Sequence, residues 1–170
     1  MSVLKFLLAL LAAVLVHSLG VRMYPDFAVH VDVFLLLTVA WSFESTTLVG
    51  MLVGLAAGLT ADAFTSGPYG LNGFADTFIG YATAFAVGNL AKMSTSGAIL
   101  LYSVAAAMQQ ILLVALVILL IPNGLPPPVS AVIVKVAITS LLGFFVFRGR
   151  LKLLRTLGEW KQARESRLRF

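Results

Sequence analysis

Residues of types that could do chemistry include His17, His30, Asp62, Asp76, Lys135 and the adjacent Gln109 and Gln110. There is no cysteine, so thiol nucleophiles, disulfides and cysteine-ligated metals are excluded. Two histidines are too few for a typical zinc site without carboxylate help, and neither a metal site nor a cofactor is expected. A lipid-processing membrane enzyme needs clustered acids, histidines or a metal motif. Here Asp62 and Asp76 are separated by a turn and form no repeated Asp-x-x-x-Asp signature. Ser18 adjoins His17 without a further acid in register. A serine or histidine within an apolar helix is more often satisfied by a neighbouring carbonyl. No catalytic residue is assigned. Gln109-Gln110 reads as an interhelical hydrogen bond, worth on the order of 1 kcal/mol.

The elements that must position these groups are apolar helices. Of the 170 residues, 60% are hydrophobic and only 11% charged, and the mean hydropathy is +1.01. Soluble domains carry roughly a quarter charged residues, and a chain this short cannot bury so much apolar surface in its own core. Lipid is the expected cover. A spanning helix needs about 20 apolar residues, and six runs qualify: Val3–Val21, Phe27–Phe43, Thr47–Phe64, Leu71–Leu90, Gly97–Ile121 and Val129–Phe147. The first resembles a signal peptide, with Lys5 ahead of it and Ser18-Leu19-Gly20 like a cleavage site, but is expected to be retained as a span. Gly67-Pro68-Tyr69-Gly70, Lys92–Ser96, Pro122-Asn123-Gly124 and Pro126-Pro127-Pro128 punctuate the later runs with loop chemistry.

The net charge of +5 is unevenly placed, eight of the twelve lysines and arginines lying from Arg148 onwards. A basic flank directly after an apolar run marks cytoplasmic anchoring rather than nucleic-acid binding. With six spans, Lys5, Lys92 and the tail share the cytoplasmic side, and Arg22 alone among basic residues falls outside. The chain divides into a six-helix transmembrane domain, residues 1–148, and a basic tail, 149–170. Leu153, Leu154, Leu157 and Trp160 recur at helical spacing among Lys152, Arg155, Lys161 and Arg164, a pattern that suits an amphipathic helix on the anionic inner leaflet. Trp41, Tyr24 and Trp160 read as interfacial anchors.

Lys135 stands six residues into the last run, or roughly 9 Å deep at 1.5 Å per residue. A lone ammonium facing lipid there costs roughly 2.5–3.5 kcal/mol on insertion scales. Asp62 ends the third run and Asp76 lies near the start of the fourth, both in the same outer half. An intramembrane ion pair of Lys135 with Asp62 or Asp76 is therefore expected, Asp62 being favoured. The alternative is that Lys135 snorkels to the headgroups.

Gly50, Gly54 and Gly58 recur every fourth residue, and Asp62 continues their register. Small residues so spaced let a second helix approach closely, while a membrane aspartate faces protein or water. The full pattern is Gly54-x-x-x-Gly58-x-x-x-Asp62, then Gly70-Leu71, then Tyr81. It resembles the MreD family, the small multi-pass rod-shape-determining membrane proteins of bacteria. The stretch Val31-Asp32-Val33-Phe34-Leu35-Leu36-Leu37, running into Trp41, is similar to that family's lead-in to the second span. Val31 stands where the family commonly has a proline, which bears on the local kink. The resemblance in length and hydropathy covers nearly the whole chain, and the motif covers roughly residues 32–81.

The resemblance implies an all-α integral membrane protein of six transmembrane helices, similar in fold to the substrate-binding subunit of vitamin transporters. It implies a non-enzymatic scaffold of the inner membrane, multi-pass with both termini cytoplasmic. Its partners would be an MreC-like single-span protein, the peptidoglycan polymerase and transpeptidase and, indirectly, the MreB filament. Membrane lipid is a further partner and nucleic acid is not. The other reading from a different class is the vitamin-type substrate-binding subunit itself, with His17, Asn72, Asp76, Gln109 and Gln110 able to line a pocket.

Overall fold

The computed structural model describes residues 3–65, 67–89, 95–121 and 126–167, without the side chains of Thr95, Leu151 and residues 153–167. The Lys92–Ser94 break, the Pro122–Gly124 break and the side chains of the tail from residue 153 onwards lie outside the described residues.

The described chain is all helical: α1 (Val3–Met23), α2 (Phe27–His30), α3 (Val33–Ser42), α4 (Thr47–Asp62), α5 (Leu71–Asn89), α6 (Thr95–Leu120) and α7 (Val129–Arg167). Three helices are long and apolar enough to cross a membrane, those over Val3–Met23, Ser96–Leu120 and Val129–Arg150. The apolar helices α3 and α4 are shorter. Each apolar run of the sequence forms helix, with two departures from expectation. The run over Phe27–Phe43 is broken into α2 and α3, and the last helix does not stop at Phe147 but continues unbroken to Arg167. Residues 149–167 thus continue α7 as helix. Gly149 and Gly158 lower helix propensity without ending the helix, since a single glycine costs only about 1 kcal/mol.

The distribution of side chains is that of a protein solvated by hydrocarbon. Leu4, Leu8, Leu11, Leu15 and Leu19 of α1 and Ile111, Ile118 and Leu119 of α6 are exposed. Asp32, Thr38, Ser42, Asp62, Asp76, Thr83, Gln109, Gln110 and Thr139 are buried. Water would reverse this arrangement, because desolvating polar groups costs more than exposing apolar ones there. Helix α3 is the central element, burying Phe34, Leu35, Leu36, Thr38, Val39 and Ser42. Its apolar residues pack with Ile79 of α5, Tyr102, Ala105 and Ala106 of α6 and Phe147 of α7.

Both terminal helices meet the α3–α4 turn. The ring of Phe6 in α1 lies edge-on to Trp41 at 5.3 Å, and Arg150 of α7 pairs with Glu44 and donates to the Ala40 carbonyl. Lys5 and the basic extension of α7 therefore sit at one end of the bundle, and the α4–α5 turn sits at the other.

Candidate functional site

The glycine stripe of α4 is used within the chain. A Cβ on Gly54 would fall onto the Asp76 carbonyl of α5, and one on Gly58 onto that of Asn72. Gly50 meets Gly80 in the same way. The two backbones are in direct contact, so no side chain fits between α4 and α5 along this line. The second helix that the four-residue glycine spacing admits is therefore α5 of the same chain.

Asp62 completes this hairpin. Its Oδ1 accepts from the Asn72 backbone N–H at 3.0 Å and from Asn72 Nδ2 at 2.9 Å. Its Oδ2 accepts from the Gly70 and Gly73 N–H groups at 2.9 and 3.0 Å. The N–H groups that open α5 have no partner within the helix, and a carboxylate there satisfies them and complements the helix dipole. Gly70 has φ of +105°, a backbone conformation that side chains disfavour, and this turns the chain so that its N–H reaches Asp62. Leu71 is the first residue of α5. Tyr81 stands apart from the hairpin contact, 41% exposed and stacked on Phe85 at 6.0 Å.

The Lys135 ammonium meets neither expected partner. It pairs with Asp32, Nζ to Oδ2 at 3.2 Å. Asp62 is committed to the α5 N-terminus, and Asp76 Oδ1 accepts from Gln109 Nε2 at 2.7 Å. The physical reason is the break at Val31-Asp32, where Val31 is extended, with φ −128° and ψ 132°. Asp32 caps α3, its Oδ1 accepting from the Leu35 N–H at 2.9 Å. Its own N–H, freed by the break, donates to Thr139 Oγ1 of α7 at 3.3 Å. Irregular backbone at membrane depth is tolerated where protein groups satisfy it. Asp32, Leu35 and Thr139 do so here, and the chain bends without a proline.

Gln109 ties the cluster together. Its Nε2 also donates to Asp32 Oδ2 at 3.2 Å, so one amide nitrogen serves both carboxylates. Gln110 Nε2 donates to Gln109 Oε1 at 3.3 Å. The reading of Gln109 as an interhelical hydrogen bonder is what the geometry shows. Four elements meet here: the α2–α3 break, α5, α6 and α7. His17 of α1 lies beside them among Phe27, Phe34 and Phe64, with ring centroids 5.0–6.4 Å away. Buried side-chain atoms without a described partner are His17 Nδ1, Thr38 Oγ1, Ser42 Oγ and Asp76 Oδ2. Among the described residues, no group of three or more histidines and carboxylates is placed to hold a metal ion.

A cleft of about 220 Å³ adjoins the cluster, lined by Val29, Gln110, Pro127, Ala131, Val132 and Lys135. Pro127 and Ala131 place it toward the end of the bundle opposite the basic extension.

Sequence reasoning missed Asp32 as a site residue. The signal was available: an aspartate five residues after the run began at Phe27 is subject to the same cost argument as Asp62. Geometry defines the chain as an all-helical membrane protein with a polar cluster buried among its helices. Comparison with protein-family models, with curated proteins and with solved structures gives no match.

Proposed function

We propose that the chain is an MreD-type scaffold, a non-enzymatic six-span protein of the bacterial inner membrane. It binds an MreC-like single-span partner and helps organise the peptidoglycan polymerase and transpeptidase of cell elongation, with an indirect link to the MreB filament. The observation that carries this reading is the hairpin, in which Gly54, Gly58, Asp62 and Gly70 of the motif act as one unit. In the six-span count, α2 and α3 together make one crossing. This pass and the 16-residue α4 are shorter than the roughly 20 residues a crossing needs, and local thinning of the bilayer absorbs the difference. Lys5 and the basic extension share one end of the bundle, and the lysine and arginine bias assigns that end to the cytoplasm. With the glycine stripe consumed by α5, the MreC-like partner engages other faces of the bundle. Affinity purification of the tagged full chain from membranes tests the reading: recovery of an MreC-like protein supports it, and recovery of a bound vitamin without such a partner overturns it.

One observation favours the second reading, a substrate-binding subunit of a vitamin-type transporter. The cleft beside Lys135 combines apolar walls with an ammonium and the Gln110 amide, the usual make-up of a small-molecule site. The same purification decides between the two.

A further inference from the structure

The buried cluster holds two carboxylates and one lysine. Asp32 is fully provided for: Oδ1 accepts from the Leu35 N–H, and Oδ2 accepts from Gln109 and pairs with Lys135. Asp76 is not. It is 0% exposed, its Oδ1 has only the Gln109 amide, and its Oδ2 is buried with no donor. The charged groups bearing on Asp76 are Asp32 at the α2–α3 break, Lys135 of α7 and Asp62 of α4. From α6 it meets the neutral Gln109 amide. His17 of α1 bears on Asp32 and Lys135. Lys135 is matched to Asp32, and Asp62 to the amides that open α5, so an ionised Asp76 adds one uncompensated negative charge to a membrane interior. An unpaired buried charge costs several kcal/mol, and a carboxylate oxygen without a donor adds to that cost.

One bound cation removes both defects, and the surroundings select which cation. A metal ion needs several oxygen ligands at once, whereas the group shared by Asp32 and Asp76 is an amide nitrogen that donates. A proton needs a single oxygen. The cleft lined by Gln110, Ala131 and Lys135 opens beside the Lys135 side of the cluster, toward the end of the bundle opposite the basic extension.

We propose that Asp76 is an exchangeable proton-binding site, its proton carried on Oδ2 and supplied through the Lys135 cleft. Binding forms one O–H bond on the carboxylate and changes no oxidation state. With the proton bound, the cluster is neutral and Gln109 bridges α5 to the α2–α3 break. When it leaves, two carboxylates face one amide, and their repulsion acts on the contact of α5 with α3 and α6. Proton availability at that end of the bundle thereby sets how tightly the helices close, whichever partner the protein serves.

The test is infrared difference spectroscopy of the full chain in lipid nanodiscs, following the carbonyl stretch of protonated carboxylic acids. The wild type is expected to show such a band at neutral pH, to shift it in heavy water, to lose it in Asp76→Asn and to keep it in Asp62→Asn. Absence of the band, or its survival in Asp76→Asn, overturns the proposal. If Asp76→Asn does not fold, isotope-labelled aspartate in the wild type and in Asp76→Glu decides the matter: a band that shifts with the label in the wild type but not in Asp76→Glu supports the site, and any other pattern overturns it. Exchanging choline chloride for sodium chloride at fixed pH is expected to leave the band unchanged, and its loss with sodium overturns the proton in favour of a metal cation. Ala131→Phe, which fills the cleft, is expected to slow the heavy-water exchange, and an unchanged rate overturns the assigned route.

Discussion

Lys135 and Asp32 form an ion pair at 3.2 Å that joins the last long helix to a break near the start of the chain. Neither residue is well served alone. Lys135 stands among the apolar residues that open α7, and Asp32 sits where the backbone has left its helical path. The pair turns two separate costs into one shared contact.

Removing one partner of this pair should cost more than removing both. Lys135→Met leaves a buried carboxylate without its cation and should destabilise the protein by about 3–5 kcal/mol. Adding Asp32→Asn to Lys135→Met should recover much of that loss in thermal unfolding in detergent. A double variant no more stable than Lys135→Met would remove the pair from the stability argument.

Helix approach at the stripe should be intolerant of even one methyl group. Gly54→Ala places a Cβ on the Asp76 carbonyl, and such overpacking costs about 1–3 kcal/mol. Gly88→Ala, with nothing within 4 Å of the new Cβ, should instead stabilise α5 by about 0.5–1 kcal/mol. Equal effects of the two substitutions on unfolding would refute the close contact.

Asp62 should protect the start of α5. Asp62→Ala strips the acceptor from the amides of Gly70, Asn72 and Gly73, with a loss at or above the roughly 0.5–2 kcal/mol of ordinary caps. Hydrogen exchange at Asn72 and Gly73 should accelerate while that of α6 stays as before. Unchanged exchange at those two amides would show that the cap is dispensable.

Glu44 and Arg150 should behave unequally. Their ion pair is partly exposed, so Glu44→Ala should change stability by only about 0–1 kcal/mol. Arg150→Ala should cost more, because it also removes the donor to the Ala40 carbonyl. The comparison is made on unfolding midpoints at low and high salt, and an equal loss for both variants would count against the carbonyl contact.

Much of this protein could be read directly from its residues because the deciding forces are local. A run of apolar residues declares a helix wherever it lies, and α1, α4 and α5 begin at the residues the runs indicate, Val3, Thr47 and Leu71. The four-residue spacing of Gly50, Gly54 and Gly58 marked a close-packed helix face for the same reason, since spacing along a helix fixes which residues share a side. What that face touches is not local. Only the fold decided that α5 covers it, that Asp62 is spent on the turn eight to eleven residues ahead of it, and that Lys135 reaches Asp32. A charge in an apolar helix states that a partner is needed; which partner depends on how helices distant in sequence cross, and on a backbone break held open by Thr139 from the far end of the chain.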